Sequence, residues 1–166
     1  MAAMPPYRLA TLLTIRERKK EAAEHKLAET LAALHQEEKR LKELRDELVA
    51  MEEKRQALRR EYMDKAMKGQ TGANDAVRHN AFVEHLKGLE KQQKEAIADQ
   101  EDRVREHEGY VKEARDALVV ATQELKALEK HKEKWLEEVK KEREAKEEMT
   151  MDDIAQTIFL RNRDGQ

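Results

Sequence analysis

The side chains that most often perform acid–base or metal chemistry are present in this sequence, but they are not spaced for it. The six histidines are His25, His35, His79, His85, His107 and His131. No two of them stand three or four residues apart, the spacing that would place two ligands of one metal ion on the same helix face. The chain has no cysteine, so neither a thiolate metal site nor a disulfide framework can form. We therefore predict no metal site and no cofactor.

Motifs for nucleophilic or phosphate chemistry are also missing from the sequence. No strand-like segment is evident, so no glycine-rich phosphate loop follows one. Acidic pairs are frequent, but charged residues make up 42% of the chain, and a solvated helix surface would carry such pairs without any catalytic role. The sequence predicts that the protein is not an enzyme.

Charge and hydropathy narrow the classes of partner. The formal net charge is −2, and acids interrupt nearly every basic run, so we expect no nucleic-acid binding. No apolar run approaches the roughly 18 residues of a membrane span, and the N-terminus lacks the apolar core of a secretory signal. Because aromatics make up only 4% of the chain, the composition is typical of an extended protein with a thin core and a solvated surface.

A heptad repeat of apolar residues predicts the elements that must position these side chains. Leucines recur every seven residues over 27–48, and a second series, offset by three residues, extends over 9–58. The repeat stops in the polar segment 68–75 and resumes over 86–139. A period of 3.5 residues sustained this long specifies a helix that needs a partner helix along its length.

The fold class that this pattern predicts is all-α, a long two-helix antiparallel coiled-coil hairpin. We expect helix 1 over about 7–68, a turn over 69–75, helix 2 over about 76–148 and a tail over 149–166, all within one domain, 1–166. Gly69 is a suitable helix stop, and Asn74 or Asp75 could cap the second helix. Because apolar residues would oppose one another within one chain, we expect a monomer.

A turn centred near Gly72 would place Tyr62 near Phe82 and Leu9 near Trp135. Several polar residues fall on core positions of the seam, and such residues weaken a coiled coil but can fix its register. They are Lys20, Glu37, Arg55, Gln93, Gln100 and Lys132. Two helix-interior glycines, Gly88 and Gly109, should each cost about 1 kcal/mol relative to alanine.

Three surfaces are candidates for contact with a partner. Apolar residues flank the turn and could form a patch there, or could simply close the end of the coiled coil; they are Leu58, Tyr62, Phe82, Leu86 and Leu89. Near the N-terminus, a basic cluster could bind an acidic surface or merely solvate its helix; it contains Arg8, Arg16, Arg18 and Lys19. The Leu9–Trp135 pair beside it has core packing as its simpler interpretation.

The third surface is the tail, which turns apolar after a long charged segment. Thr150 and Asp153 have the spacing of a capping box, and Ile154, Ile158 and Phe159 would share one helix face. A short helix that binds a partner and a disordered terminus both fit this segment.

Short segments of the chain resemble the type III secretion stalk proteins, which are FliJ in flagellar export and YscO/SctO in injectisomes. Residues 7–16, which read YRLATLLTIR, look like the N-terminal pattern of the family. The MDDIAQ of residues 151–156 is similar to a signature of the flagellar members, and HKEKW at 131–135 is similar to some injectisome members. The resemblance covers the whole chain and leaves the choice between the two systems open.

This resemblance implies a hairpin like the central stalk of the ATP synthase gamma subunit. It implies that the end carrying the termini enters the pore of a hexameric type III export ATPase, which would involve Arg8, Leu9, Arg16, Arg18, Lys19 and Trp135. It implies that the tip binds the cytosolic domain of the export gate, and the gate-binding positions fall on Leu58, Tyr62, Phe82, Leu86 and Leu89. Two of these depart from the flagellar pattern, since Leu58 replaces an aromatic residue and Leu89 a small one.

The implied location is the cytoplasm, at the cytosolic face of the inner membrane, which the protein would reach through its partners. Secretion chaperones are further implied partners. A different class of function also fits the sequence, namely a coiled-coil scaffold or a secretion chaperone with no coupling to an ATPase. The stalk interpretation predicts stimulation of the ATPase, and the alternative predicts none.

Overall fold

The computed structural model describes residues 5–164, nearly all of which lie in two helices. Helix α1 spans Ala10–Met67, helix α2 spans Ala73–Asp164, and the described residues contain no strand. Hydrogen bonds and ion pairs join α1 to an antiparallel α2, which confirms the predicted all-α two-helix hairpin. The packing forms two compact units: a turn unit, His25–Asp116, and a terminal unit, Met1–Glu24 with Ala117–Gln166.

The turn between the helices is closed by backbone hydrogen bonds around Gly69. The Gly69 and Gln70 amides donate to the carbonyls of Ala66 and Lys65, at 3.0 Å each. Gly69 has a φ of 68°, the left-handed conformation that commonly ends a helix and that glycine adopts without a steric penalty. The predicted stop of the first helix at Gly69 is confirmed.

The start of α2 differs from the prediction that Asn74 or Asp75 is its cap. The helix begins at Ala73, so Gly72 takes the capping position. Asp75 reaches back to accept a hydrogen bond from the Gly72 amide at 2.9 Å, and the Asp75 amide donates to the Gly72 carbonyl at 3.1 Å. Asp75 therefore acts from the third helical position, as the acidic member of a capping box does.

The core of the turn unit is the predicted heptad seam. Leu41 and Leu44 on α1 are buried, as are Val111 and Ala114 on α2. Most other seam positions are half-buried, since a two-helix coil covers only one side of each helix. The predicted apolar seam is thus confirmed in this unit.

Polar seam residues of the turn unit are satisfied across the hairpin. The Gln100 amide nitrogen donates to the Glu37 carbonyl at 3.1 Å and to its carboxylate at 2.6 Å. The Gln93 amide nitrogen donates to the Leu44 carbonyl at 2.9 Å. Because each of these bonds requires one particular neighbour on α1, they favour one register of the two helices.

The seam of the terminal unit is lined on α2 by Ala121, Leu125 and Val139, all buried. Lys132, which the repeat places on the seam, is exposed instead. At this point α1 has not yet begun, and Tyr7, in the non-helical residues before Ala10, packs against His131 and Trp135. The predicted start of the first helix at about residue 7 is therefore three residues early.

Helix α2 continues to Asp164, past the predicted end near residue 148. Residues 140–163 are exposed throughout, so packing on α1 does not stabilise this part of the helix. Its sequence supplies local support instead, because lysine, glutamate and arginine are good helix formers and pair at i,i+4, as Lys140 and Glu144 do at 3.8 Å. The tail that could have been disordered is helical up to the last described residue.

Two glycine substitutions test the stability of the helix interiors. A Cβ added at Gly88 or at Gly109 would meet no atom within 4 Å, so Gly88→Ala and Gly109→Ala should each raise the free energy of unfolding by about 1 kcal/mol. Urea denaturation followed by circular dichroism measures this change. Gly69→Ala is the matched control and should destabilise, because its φ of 68° is strained for alanine. Destabilisation by Gly88→Ala would contradict the packing described here.

Candidate partner-binding surfaces

Among residues 5–164, no group of three or more histidines and acids is arranged to hold a metal ion. Within the same range, neither helix has a stretch long and apolar enough to cross a membrane. The features that could support a function are exposed apolar and charged side chains beside the seam.

The apolar residues that flank the turn divide into two groups. Leu58, Tyr62 and Leu86 are half-buried on the seam, where they hold the helices together. Phe82 is 45% exposed and Leu89 37% exposed, and both lie off the seam of α2. Of the five residues of the predicted patch, three therefore pack between the helices. The other two, Phe82 and Leu89, remain available to a partner.

Across the hairpin, Tyr62 packs against His79, whereas the prediction placed it near Phe82. The two rings stack with centroids 4.0 Å apart and an angle of 10° between their planes. The seam of α2 passes through His79, Val83 and Leu86, so Phe82 is rotated away from it by one residue. The prediction counted positions from the centre of the turn, which cannot distinguish a seam residue from the residue next to it.

Three further apolar side chains near the turn were not singled out from the sequence. Met63, Met67 and Val77 are all more than half exposed. Each lies off the heptad seam, and that departure from the repeat is the signal that could have identified them. They are further exposed apolar side chains of the turn unit, in addition to Phe82 and Leu89.

Three aromatic rings pack together in the terminal unit, close to the start of α1. The Tyr7 hydroxyl lies 2.8 Å from Nδ1 of His131. The Tyr7 ring packs on Trp135 with centroids 5.1 Å apart and an interplanar angle of 49°. Leu9, the predicted neighbour of Trp135, lies two residues after Tyr7 in the sequence and is half-buried. Sequence periodicity missed Tyr7 because the residue precedes the helix and has no place in the repeat.

The basic cluster also divides into two groups. Arg16 and Lys19 both bind the carboxylate of Glu124 on α2, Lys19 through its Nζ at 2.8 Å. The hydrogen bond from Lys19 lowers the pKa of Glu124, and the charge of Arg16 adds to that shift against the opposing effect of burial. Arg8 and Arg18 are exposed. Glu124 was missed from the sequence because it is one of 36 acidic residues and nothing local distinguishes it.

The turn unit contains one ion pair set well into the seam. Arg55 Nε donates to Glu90 Oε1 at 2.6 Å, and the Glu90 side chain is almost fully buried. The hydrogen bond to Glu90 raises the pKa of Arg55, against the opposing effect of burial. A buried ion pair of this kind adds little net stability, but loss of either partner leaves the other charge uncompensated inside the seam. We therefore assign this pair a structural role.

Two antiparallel helices joined by one heptad seam define a two-helix coiled-coil protein, with its exposed apolar and basic groups beside the seam. The model of the YscO-like protein family matches residues 4–164, and the chain belongs to this family. It is therefore a type III secretion stalk-like protein, in a family of structural proteins and not of enzymes.

A solved structure supports the same fold. It is that of a protein from Chlamydia trachomatis described as a YscO homolog, which superposes with a TM-score of 0.83 at 21% sequence identity. The match covers 98% of this chain and 100% of that one. At this identity the likeness establishes the fold alone. No curated protein matches the chain.

Proposed function

We propose that the chain is the central stalk of a type III protein export apparatus. In this role it links the hexameric export ATPase to the cytosolic domain of the export gate and promotes ATPase activity and substrate export. The observation that carries the proposal is the YscO-like match over residues 4–164. Its location would be the cytoplasm, at the cytosolic face of the inner membrane, held there by its partners.

The terminal unit is the proposed ATPase-binding part. Arg8 and Arg18 are exposed, so their charges can act on an acidic pore lining. Arg16 and Lys19 already bind Glu124 and serve chiefly to hold α1 against α2. Leu9 and Trp135, both half-buried, belong to the part of the hairpin that would enter the pore as a single copy.

The turn unit is the proposed gate-binding part. Phe82 and Leu89 stand seven residues apart on α2, hence on the same face of the helix, and both are exposed. Exposed aromatic and aliphatic side chains of this kind anchor helices in apolar clefts. Leu58, Tyr62 and Leu86 would support them from the seam. Secretion chaperones are further candidate partners.

The alternative is a coiled-coil scaffold or a secretion chaperone without ATPase coupling, which the exposed apolar tail over residues 149–160 favours as a client-binding surface. Stimulation of the cognate ATPase by the purified chain separates the two functions. A stalk increases the rate of ATP hydrolysis, whereas a scaffold or chaperone leaves it unchanged.

The first functional prediction concerns the turn unit. Phe82→Ala with Leu89→Ala should weaken binding to the export-gate cytosolic domain by about tenfold or more, since two exposed anchors are lost. Helicity should stay unchanged because both side chains lie off the seam. Calorimetric titration measures the binding.

Tyr110→Ala is the matched control, because this aromatic residue is 44% exposed, almost as much as Phe82, but lies far along α2 from the turn. It should leave gate binding unchanged. Equal losses in the control and in the Phe82–Leu89 variant would remove this surface from the mechanism.

The second functional prediction concerns the terminal unit. Arg8→Glu with Arg18→Glu should lower ATPase stimulation, and the loss should be largest at low salt because exposed charges are screened as ionic strength rises. Steady-state ATP hydrolysis measures the effect. Lys39→Glu with Lys42→Glu is the control, since it makes the same charge change in the turn unit and should leave stimulation intact. A decrease of the same size in both variants would indicate a general effect of net charge.

A further inference from the structure

The C-terminal part of α2, residues 147–163, presents an apolar face that the hairpin seam does not use. Every described side chain of this segment is exposed. Met151, Ile154 and Ile158 follow the i, i+3, i+7 spacing of one helix face, Phe159 continues the same face, and all four are at least half exposed. These four residues are called the tail stripe below.

The charges around the tail stripe are segregated along the helix. Between residues 147 and 163, all acids precede the middle of the stripe and all bases follow it. The acids are Glu147, Glu148, Asp152 and Asp153, and the bases are Arg161 and Arg163. Bases in the last turn complement the helix dipole, but the acids lie far from the start of α2 at Ala73, so the dipole does not account for them.

We propose that the tail stripe is a self-complementary surface that pairs antiparallel with the same stripe of a second copy of this chain. Antiparallel pairing places Met151 of one copy near Ile158 of the other. It also brings Glu147 and Glu148 of each copy close to Arg161 of the other, whereas parallel pairing would set acids against acids. The charge pattern thus favours a second copy of the chain as the partner, and it favours antiparallel over parallel pairing.

The association is weak because the paired surface is small. Four apolar side chains per copy cover less than the roughly 1,200–2,000 Å² that stable interfaces bury. The dimer therefore forms in proportion to protein concentration, and the chain is a monomer when dilute. The proposed stalk acts as a single copy, so this pairing concerns the free protein, goes beyond the proposed function and does not depend on it.

Two charge variants of the full chain test the pairing. In the first, Arg161→Glu sets acids against acids in the dimer. In the second, Glu147→Arg with Glu148→Arg sets bases against bases. Sedimentation velocity over a concentration series should show each variant alone associating at least about threefold more weakly than the native chain. An equimolar mixture of the two should regain the association, because acids then face bases in the mixed pair.

Apolar variants complete the experiment. Ile158→Asp should abolish association, and Leu160→Asp, on the opposite face of the same helix, should leave it unchanged. Circular dichroism checks that each variant remains helical. The proposal is overturned if the native chain stays monomeric at millimolar concentration, if the mixture does not regain association, or if Leu160→Asp weakens association as much as Ile158→Asp. All measurements omit the ATPase and the gate domain, so they are independent of the stalk function.

Discussion

The heptad seam between α1 and α2 is the interaction on which the other features depend. Neither helix can cover its own apolar stripe, and every hydrophobic residue that is buried between residues 5 and 164 lies on this seam. Burial of Leu41, Leu44 and Val111 therefore supplies much of the free energy that holds the turn unit together. The hydrogen bonds of Gln100 favour one register of the two helices. Sliding α2 by one heptad would separate it from Glu37 and leave its amide without that partner inside the seam.

The seam also decides which side chains can bind a partner. Tyr62 stacks on His79 and packs between the helices, whereas Phe82, in the same region of the chain, is exposed. Arg16 forms an ion pair with Glu124, whereas Arg18, two residues later in the sequence, is exposed. In both units, a candidate set that looks uniform in the sequence separates into residues that maintain the hairpin and residues that can act outside it. The same separation sets the tail stripe apart, because it lies where the seam has ended.

The heptad repeat made the fold predictable, because a period of 3.5 residues has one physical interpretation over this length. Gly69 could be predicted as the end of α1 for a similar reason, since few other residues tolerate its conformation. The contacts of individual residues were harder to predict. Periodicity does not reach Tyr7, which precedes the helix, and it does not single out Glu124 among many acids. It also gives no end for α2, because helix propensity and local charge pairs continue the helix after the seam has stopped.

A mixture of the chain, the hexameric export ATPase and the cytosolic domain of the export gate tests the central claim most directly. It is the proposal that the terminal and turn units carry separate contact surfaces that can be occupied together. Size-exclusion chromatography with light scattering should then show one complex that contains all three proteins, and the gate domain should elute with the ATPase only when the chain is present. If the ATPase and the gate domain instead displace each other from the chain, the two partners share a surface and the proposal of two separate contact surfaces is wrong.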